Sequence, residues 1–403
     1  MAYTFYESDN RVRRYAETLA REGFEVDVVA LRREGNYPRI EVINGVRLLR
    51  IQLRVVNEKS RMVLLRRLLL FFLRSMWVLS REQLKRRYDL VHIHSIPDFE
   101  VFAAWLPKIT GSKLILDIHD IVPEYYASKF NLSAKSLSFK LLVLVERLSA
   151  VFSDHVIVAN HIWQQRLEGR SVRASKLTTI LNFPDAQIFR RRGRKRNDNR
   201  FVLLYPGSLN YHQGLDLAIL AFARIKEQAP LAEFHIYGIG EQLPYLLQLI
   251  HDLGLQDRVL YKGAQPLDHV ASVMEDADLG IVPKRKNGFG NEAFSTKILE
   301  FMSMGVPVLI PDTAIDTYYF DESIVRFFRA DNETSLAENL LELILNSSDR
   351  ERLARNADQF IKGYLWDENE ALYLNIVDSL LGSAPKTLQP PRVTGRIKDR
   401  TCP

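Results

Sequence analysis

Two doubly wound α/β domains facing across a cleft are predicted for this chain of 403 residues. Three observations carry the prediction. Short apolar runs alternate with helical patterns, the alternation is played out twice, and a polar stretch without periodicity separates the two rounds. The length exceeds what one compact core holds, and 47% hydrophobic with 26% charged residues is the balance of a globular protein.

In the first round a helix over Val12 to Arg21 precedes a strand over Phe24 to Ala30. Further strands are expected at Leu90 to His94, Leu114 to Ile118 and His155 to Ala159. The second round places strands at Phe201 to Tyr205, Glu233 to Tyr237, Arg258 to Tyr261, Leu279 to Val282 and Val306 to Ile310. Strands interleaved with helices imply parallel sheets, and ligands of such sheets sit beyond the carboxyl ends of the strands. The stretch Asp185 to Arg200 is rich in Arg, Asn and Asp and reads as a linker. The expected plan is therefore a first domain over 1–185, a linker over 186–200, a second domain over 201–362, a helix over 363–383 around Trp366, and a basic, proline-containing disordered tail over 384–403. Met1 to Tyr6 supplies only the latter half of a first buried strand, which is expected to weaken the sheet.

Formal net charge is +6 with a pI near 9.2, and basic residues cluster at Arg66-Arg67, Lys85-Arg86-Arg87, Arg190 to Arg196 and Lys284-Arg285-Lys286. Such clusters favour phosphates and anionic lipid surfaces; no nucleic-acid-binding motif accompanies them. Met62 to Leu79 is the longest apolar stretch, but Arg66, Arg67 and Arg74 within it disfavour a spanning helix. It reads either as a basic amphipathic helix lying on a membrane or as a helix packed in its own domain. A single cysteine, Cys402, excludes a disulfide scaffold and makes a reducing cytoplasm the default, and no signal peptide is recognised at Met1.

Glu292 and Glu300 flank seven residues in a segment that runs from a loop, after Asn287-Gly288-Phe289-Gly290, into a helix closed by Gly305. A helix starting near Ser295 puts Glu292 just before its N-terminus and Glu300 about one turn in, with backbone N–H groups between them for an anion. This pattern resembles the E-x7-E signature of retaining GT-B glycosyltransferases, in particular the large family 4 (group 1). Further pieces are similar in kind and order: Asp9-Asn10-Arg11-Val12-Arg13, Asp89 to His94, Asp117-Ile118-His119-Asp120, Pro206 to Asp216 and Tyr237-Gly238-Ile239-Gly240.

The resemblance implies a GT-B fold that binds a nucleotide diphospho-sugar as co-substrate and needs no cofactor. The donor, a UDP- or GDP-sugar, would be held by Gly207, Ser208, Gln213, Gly238, Ser295, Thr296, Lys297 and Glu300, with Glu300 on the ribose. Glu292 would contact the donor sugar, His119 would lie beside the reacting sugar, and Asp120 or Glu124 would receive the acceptor hydroxyl. Family members usually carry Arg where this chain has Ser208 and Lys where it has Gln213. Two phosphate-binding cations are thereby missing, and Lys297, Lys284 or Arg285 are the candidates to replace them. His92 and His94 are expected to point apart, and no histidine or cysteine cluster has zinc spacing, so no metal site is expected. The acceptor is expected to be a glycan or lipid-linked, in envelope or exopolysaccharide synthesis on the inner face of the membrane. A nucleotide-sugar epimerase or phosphorylase on the same fold, or a catalytically weak or inactive scaffold, are the alternatives.

Overall fold

The computed structural model describes residues 1–35, 37–54, 61–95, 97–130, 133–193 and 196–382. The expected tail with Cys402, and Arg194-Lys195 of one basic cluster, lie outside the described residues. The described residues form two compact units, Met1–Asn182 with 370–382, and Phe183–Asn369.

In the first unit Asp9 caps α1 (Asn10–Arg21) by accepting from the Val12 amide. There follow β1 (Val26–Arg32), the hairpin β2 (Ile40–Ile43) and β3 (Val46–Leu53), the long α2 (Arg61–Arg86), β4 (Leu90–Ser95), a 3-10 helix over Asp98–Ala104, α3 (Trp105–Ile109) and β5 (Lys113–Ile118). Then come α4 (Val122–Phe130), α5 (Leu137–Phe152), β6 (His155–Val158), α6 (His161–Glu168) and β7 (Leu177–Thr179). Strand orders are β1-β3-β2 and β4-β5-β6-β7, parallel except for the hairpin pair. Residues 1–4 run between β1 and β4: the Ala2 amide donates to Val29 O at 3.0 Å, Leu31 N to Thr4 O at 2.9 Å, and His94 N to Met1 O at 2.9 Å.

The second unit carries one parallel sheet in the order β10-β9-β8-β11-β12-β13. Its elements are β8 (Phe201–Pro206), α7 (Leu215–Ile225), β9 (Ala232–Tyr237), α8 (Leu243–Asp252), β10 (Val259–Tyr261), α9 (Leu267–Glu275) and β11 (Leu279–Ile281). After these come α10 (Thr296–Ser303), β12 (Val308–Pro311), α11 (Ala314–Tyr319), β13 (Arg326–Phe328), α12 (Glu333–Leu345) and α13 (Ser347–Ile361). β8 is buried on both faces: Leu203 and Tyr205 join one apolar cluster, Val202 and Leu204 the other. A continuous apolar run is what such a doubly covered strand requires.

The stretch expected as a linker is packed onto this unit. Phe189 is buried in its core, and Arg196 pairs with Asp278 while its amide donates to Asp276. α14 (Trp366–Leu381) starts in the second unit, where Trp366 packs on Phe183, and belongs to the first from Glu370 on. There Glu370 pairs with Arg21 at 2.6 Å, and the Tyr373 ring lies 4.3 Å from that of Tyr15.

Candidate active site

In the second unit two glycine turns meet beyond the carboxyl ends of β8 and β9. A Cβ on Gly238 would fall 1.7 Å from the Gly207 carbonyl oxygen, and one on Gly240 about 2.4 Å from the Leu209 backbone. Only hydrogen fits there. The Gly207 amide donates to Tyr237 O at 2.9 Å and the Leu209 amide to Ile239 O at 2.9 Å. Gly207, expected among the residues that hold the donor, therefore does not offer its amide; that amide binds the two turns together. The Ser208 amide has no acceptor among the described residues.

Lys297 converges on this turn. Its Nζ lies 3.1 Å from where a Gly207 Cβ would stand and 5.5 Å from the centroid of the Tyr205 ring. The Tyr205 hydroxyl is 2.8 Å from Ser208 O and 3.0 Å from Gln213 Oε1, so Gln213 helps hold the loop. No carboxylate among the described residues pairs with Lys297 within 4.0 Å. The other two expected cations are spent: Lys284 is buried between Asp316 Oδ2, at 3.0 Å, and Ala293 O, at 2.8 Å. Arg285 pairs with Asp216 at 2.5 Å above the Tyr211 ring. Lys297 alone therefore remains of the proposed replacements.

α10 begins at Thr296 with Ser295 in the capping position, as the sequence predicts. The Ser295 hydroxyl oxygen is buried and has no hydrogen-bond partner among the described residues. Loss of surrounding water pushes the half-buried Glu300 carboxyl up to about 7, against the pull of Lys297 and the Thr296 hydroxyl. The same loss lowers Lys297, against the pull of Glu300 and with Lys284 adding to the lowering. Glu292 sits in the loop before the helix, its amide donating to Phe289 O at 3.1 Å.

The first unit contributes a separate group at the ends of β4 and β5. The Arg11 fork holds both oxygens of buried Asp117 at 2.7 Å and donates a third bond to Ile180 O at 2.8 Å. Although burial opposes it, Arg11 with His119 and His94 holds Asp117 well below the usual carboxylate range. His94 Nδ1 lies 3.0 Å from His119 Nε2, and both are 3.2 Å from Asp117 Oδ2. Burial pushes His94 down to about 4, so it is neutral. His119 is thus fixed by its Nε2, with its side chain 20% exposed.

Asp120, next in the chain, is pushed up to about 6 by burial, with His119 opposing. Glu124 is not available as an acceptor contact: Arg170 grips both its oxygens, at 2.5 and 3.0 Å. His92 and His94 do not point apart either. Residues two apart on a strand share a face, and their rings stack at 4.2 Å. His92, His94 and Asp117 bring possible metal-ligand atoms within 4.8 Å of one another, yet the Arg11 cation already occupies both carboxylate oxygens. Sequence reading passed over Arg11, His94 and Asp117 as a network; the signal was Asp117 near the end of β5, two residues before His119.

The geometry defines an α/β protein in which a lysine with no carboxylate partner among the described residues is held against a glycine turn. Family models agree: that for glycosyl transferases group 1 matches residues 187–360, and that for the glycosyl transferase 4-like domain matches residues 8–182. The chain belongs to the group 1 glycosyltransferases. It is 25% identical over 300 residues to alpha-D-kanosaminyltransferase of Streptomyces kanamyceticus, covering 70% of this chain and 75% of that one. It is also 25% identical over 158 residues to the amylovoran biosynthesis glycosyltransferase AmsK of Erwinia amylovora, covering 39% of each. Among solved structures, sucrose-phosphate synthase from Thermosynechococcus elongatus matches with TM-score 0.75 at 17% identity, over 92% of this chain and 93% of that one. Anabaena HepE in complex with UDP-glucose matches with TM-score 0.69 at 15% identity, over 94% and 98%. The fold is GT-B.

Proposed function

We propose that this glycosyltransferase is a retaining enzyme that moves a sugar from a UDP- or GDP-sugar to a glycan or lipid-linked acceptor in envelope or exopolysaccharide synthesis. The observation that carries the donor reading is Lys297, a cation without a carboxylate partner among the described residues, held against the Gly207 turn. It stands where a diphosphate would meet the amides of Ser208, Thr296 and Lys297. Glu300 then accepts from the ribose hydroxyls and Glu292 from hydroxyls of the donor sugar. The UDP-glucose of the HepE complex and the polysaccharide role in the name of AmsK support the donor class and the setting.

In the reaction the bond from the anomeric carbon to the phosphate oxygen breaks, its electron pair leaving with the nucleoside diphosphate. The acceptor oxygen bonds to that carbon from the same face, and its proton passes to the departing phosphate. Lys297 and the amides stabilise the charge growing on that phosphate, the kind of pre-aimed electrostatic contribution that dominates many enzymes. No metal is required in this scheme because Lys297 supplies the cation.

The test is release of nucleoside diphosphate from a panel of UDP-, GDP- and ADP-sugars, with and without a membrane-lipid extract. Release that depends on the extract is expected, falling about 100-fold or more in Lys297→Met, Glu300→Ala and Glu292→Gln. Equal turnover in all three variants would overturn the assignment. Binding of donor without turnover, in folded protein, would favour the inactive scaffold, for which the Ser208 and Gln213 departures speak.

A further inference from the structure

α5 is inside out. Its buried residues are Glu146, Ser149 and Ala150, whereas Leu137, Leu141, Leu144, Leu148 and Val151 face outward. The spacing of 4, 3, 4 and 3 residues puts those five on one stripe, the pattern that ordinarily marks a helix's buried face. None of the five is less than 49% exposed, and Leu137 reaches 83%. α2 carries a second exposed apolar row, Leu65, Leu69, Leu73, Trp77 and Leu84, while burying Leu68, Phe71 and Leu79 on its other side.

The two helices belong to one layer. Both pack on the 3-10 helix Asp98–Ala104 that lies between them: Phe72 meets Phe99 at 5.8 Å between ring centroids, and Phe152 meets Phe102 at 5.2 Å. α2 also packs directly on α3. Crossovers between parallel strands of one sheet are right-handed, and α3 and α5 connect β4 to β5 and β5 to β6, advancing the same way across that sheet, so they cover the same face. Trp105 and Ile109 of α3 are exposed beside them. More than half of the large apolar side chains exposed among the described residues stand on these three helices.

Charge on this layer is one-sided. α2 has a single acid, Glu82, which is buried and paired with Arg47 at 3.0 Å. α5 has a single acid, Glu146, buried and paired with Arg170 at 2.5 Å. Arg66, Arg74, Arg81, Lys85, Lys140 and Arg147 lie among the outward residues, Arg81 standing 5.3 Å over the Trp77 ring. No helix among the described residues is long and apolar enough to cross a membrane. An apolar stripe edged by cations and lacking outward acids matches an anionic lipid surface.

We propose that the α2, α3 and α5 layer of the first unit docks this enzyme on the surface of an anionic bilayer. The inference deepens the reading of a lipid-linked acceptor and rests on it for its purpose, though not for its observations. A second copy of the chain is the less suitable occupant, because facing copies would set cations against cations.

The full-length chain is mixed with vesicles of phosphatidylcholine and phosphatidylglycerol in a roughly two-to-one ratio, or of phosphatidylcholine alone, and sedimented. Binding to the anionic vesicles is expected, weakening as salt is raised. The pairs Leu141→Glu with Leu148→Glu, and Leu69→Glu with Leu73→Glu, each change exposed residues, so the fold stands. Each pair is expected to weaken vesicle binding about tenfold or more, while donor affinity, read by calorimetry without lipid, stays within about twofold. Lack of binding to anionic vesicles at low salt, or binding unaffected by both pairs, would overturn the proposal. So would a lipid-free dimer that the same pairs dissociate, which would give the face to a second copy. A chain that binds vesicles but no donor would refute the enzyme reading and leave the docking surface intact.

Discussion

Lys297 and Glu300 lie one turn apart on α10, and loss of water drives both toward their neutral forms. For Glu300 the sign of the pH effect follows directly. The unfolded chain gives up this proton near the ordinary 4.5, whereas the folded protein keeps it until about 7. Between those values the folded state binds more protons, so the contribution of Glu300 to stability is greatest in acid and declines as pH rises through 7. Ribose hydroxyls need the carboxylate as acceptor, so donor binding runs the other way. Affinity for a nucleotide sugar, whose diphosphate does not titrate here, is expected to rise between about pH 6 and pH 8 by several-fold and then level off. Glu300→Gln should bind more weakly with a flat profile. Calorimetric titration at the two pH values decides it: equal affinities in the parent protein would show that Glu300 does not meet the ribose.

At the scale of elements, the turns after β8 and β9 are one structure rather than two. Gly238, at φ 133°, brings its Cα against the Gly207 carbonyl, and the Gly207 amide returns a bond to Tyr237. Gly238→Ala puts carbon where that oxygen sits and adds strain at a backbone angle that L residues rarely adopt. It is expected to cost about 3 kcal/mol or more, read as a lowered midpoint in urea, and to displace Lys297's partner turn. Unchanged stability would show that the turns separate freely.

These glycines were legible in the sequence because the backbone demands them, as were strands such as β8 and β5, whose continuous apolar runs reflect burial on both faces. The hairpin β2–β3 was passed over even though Asn44-Gly45, with φ of 50° and 80°, is a strong turn signal; Ile40 and Val42, at 63% and 68% exposure, leave β2 with little core to betray it. The short β13 was passed over too: Arg326 interrupts the apolar run from Ile324 to Phe328. At the site, the placing of the Ser295 cap and of Glu300 could be read from helix spacing. The fates of Lys284, Arg285 and Glu124 could not, since Asp316, Asp216 and Arg170 reach them across 32, 69 and 46 residues of sequence.

Over the whole molecule, a net charge of +6 says less than where cations are left without acids. Arg11, Arg170, Arg196 and Arg285 are each committed to carboxylates. Among the described residues, cations without carboxylate partners remain on the outward face of α2 and α5, and in the second unit Lys297 beside the Gly207 turn is another. The first four amides of a helix lack intrahelical acceptors, and those of Thr296 and Lys297 find none elsewhere among the described residues. They should exchange with solvent quickly in the free protein. When a nucleoside diphosphate saturates the site, hydrogen exchange at Ser208, Thr296 and Lys297 is expected to slow by about tenfold or more, because a bound phosphate oxygen accepts from them and opening must now release ligand. The Gly207 amide, already bonded to Tyr237, should slow only with the stability of the turn. If these three amides stay fast while the ligand is bound, the phosphates lie elsewhere, and Lys297 is a solvated helix lysine that happens to rest on Tyr205.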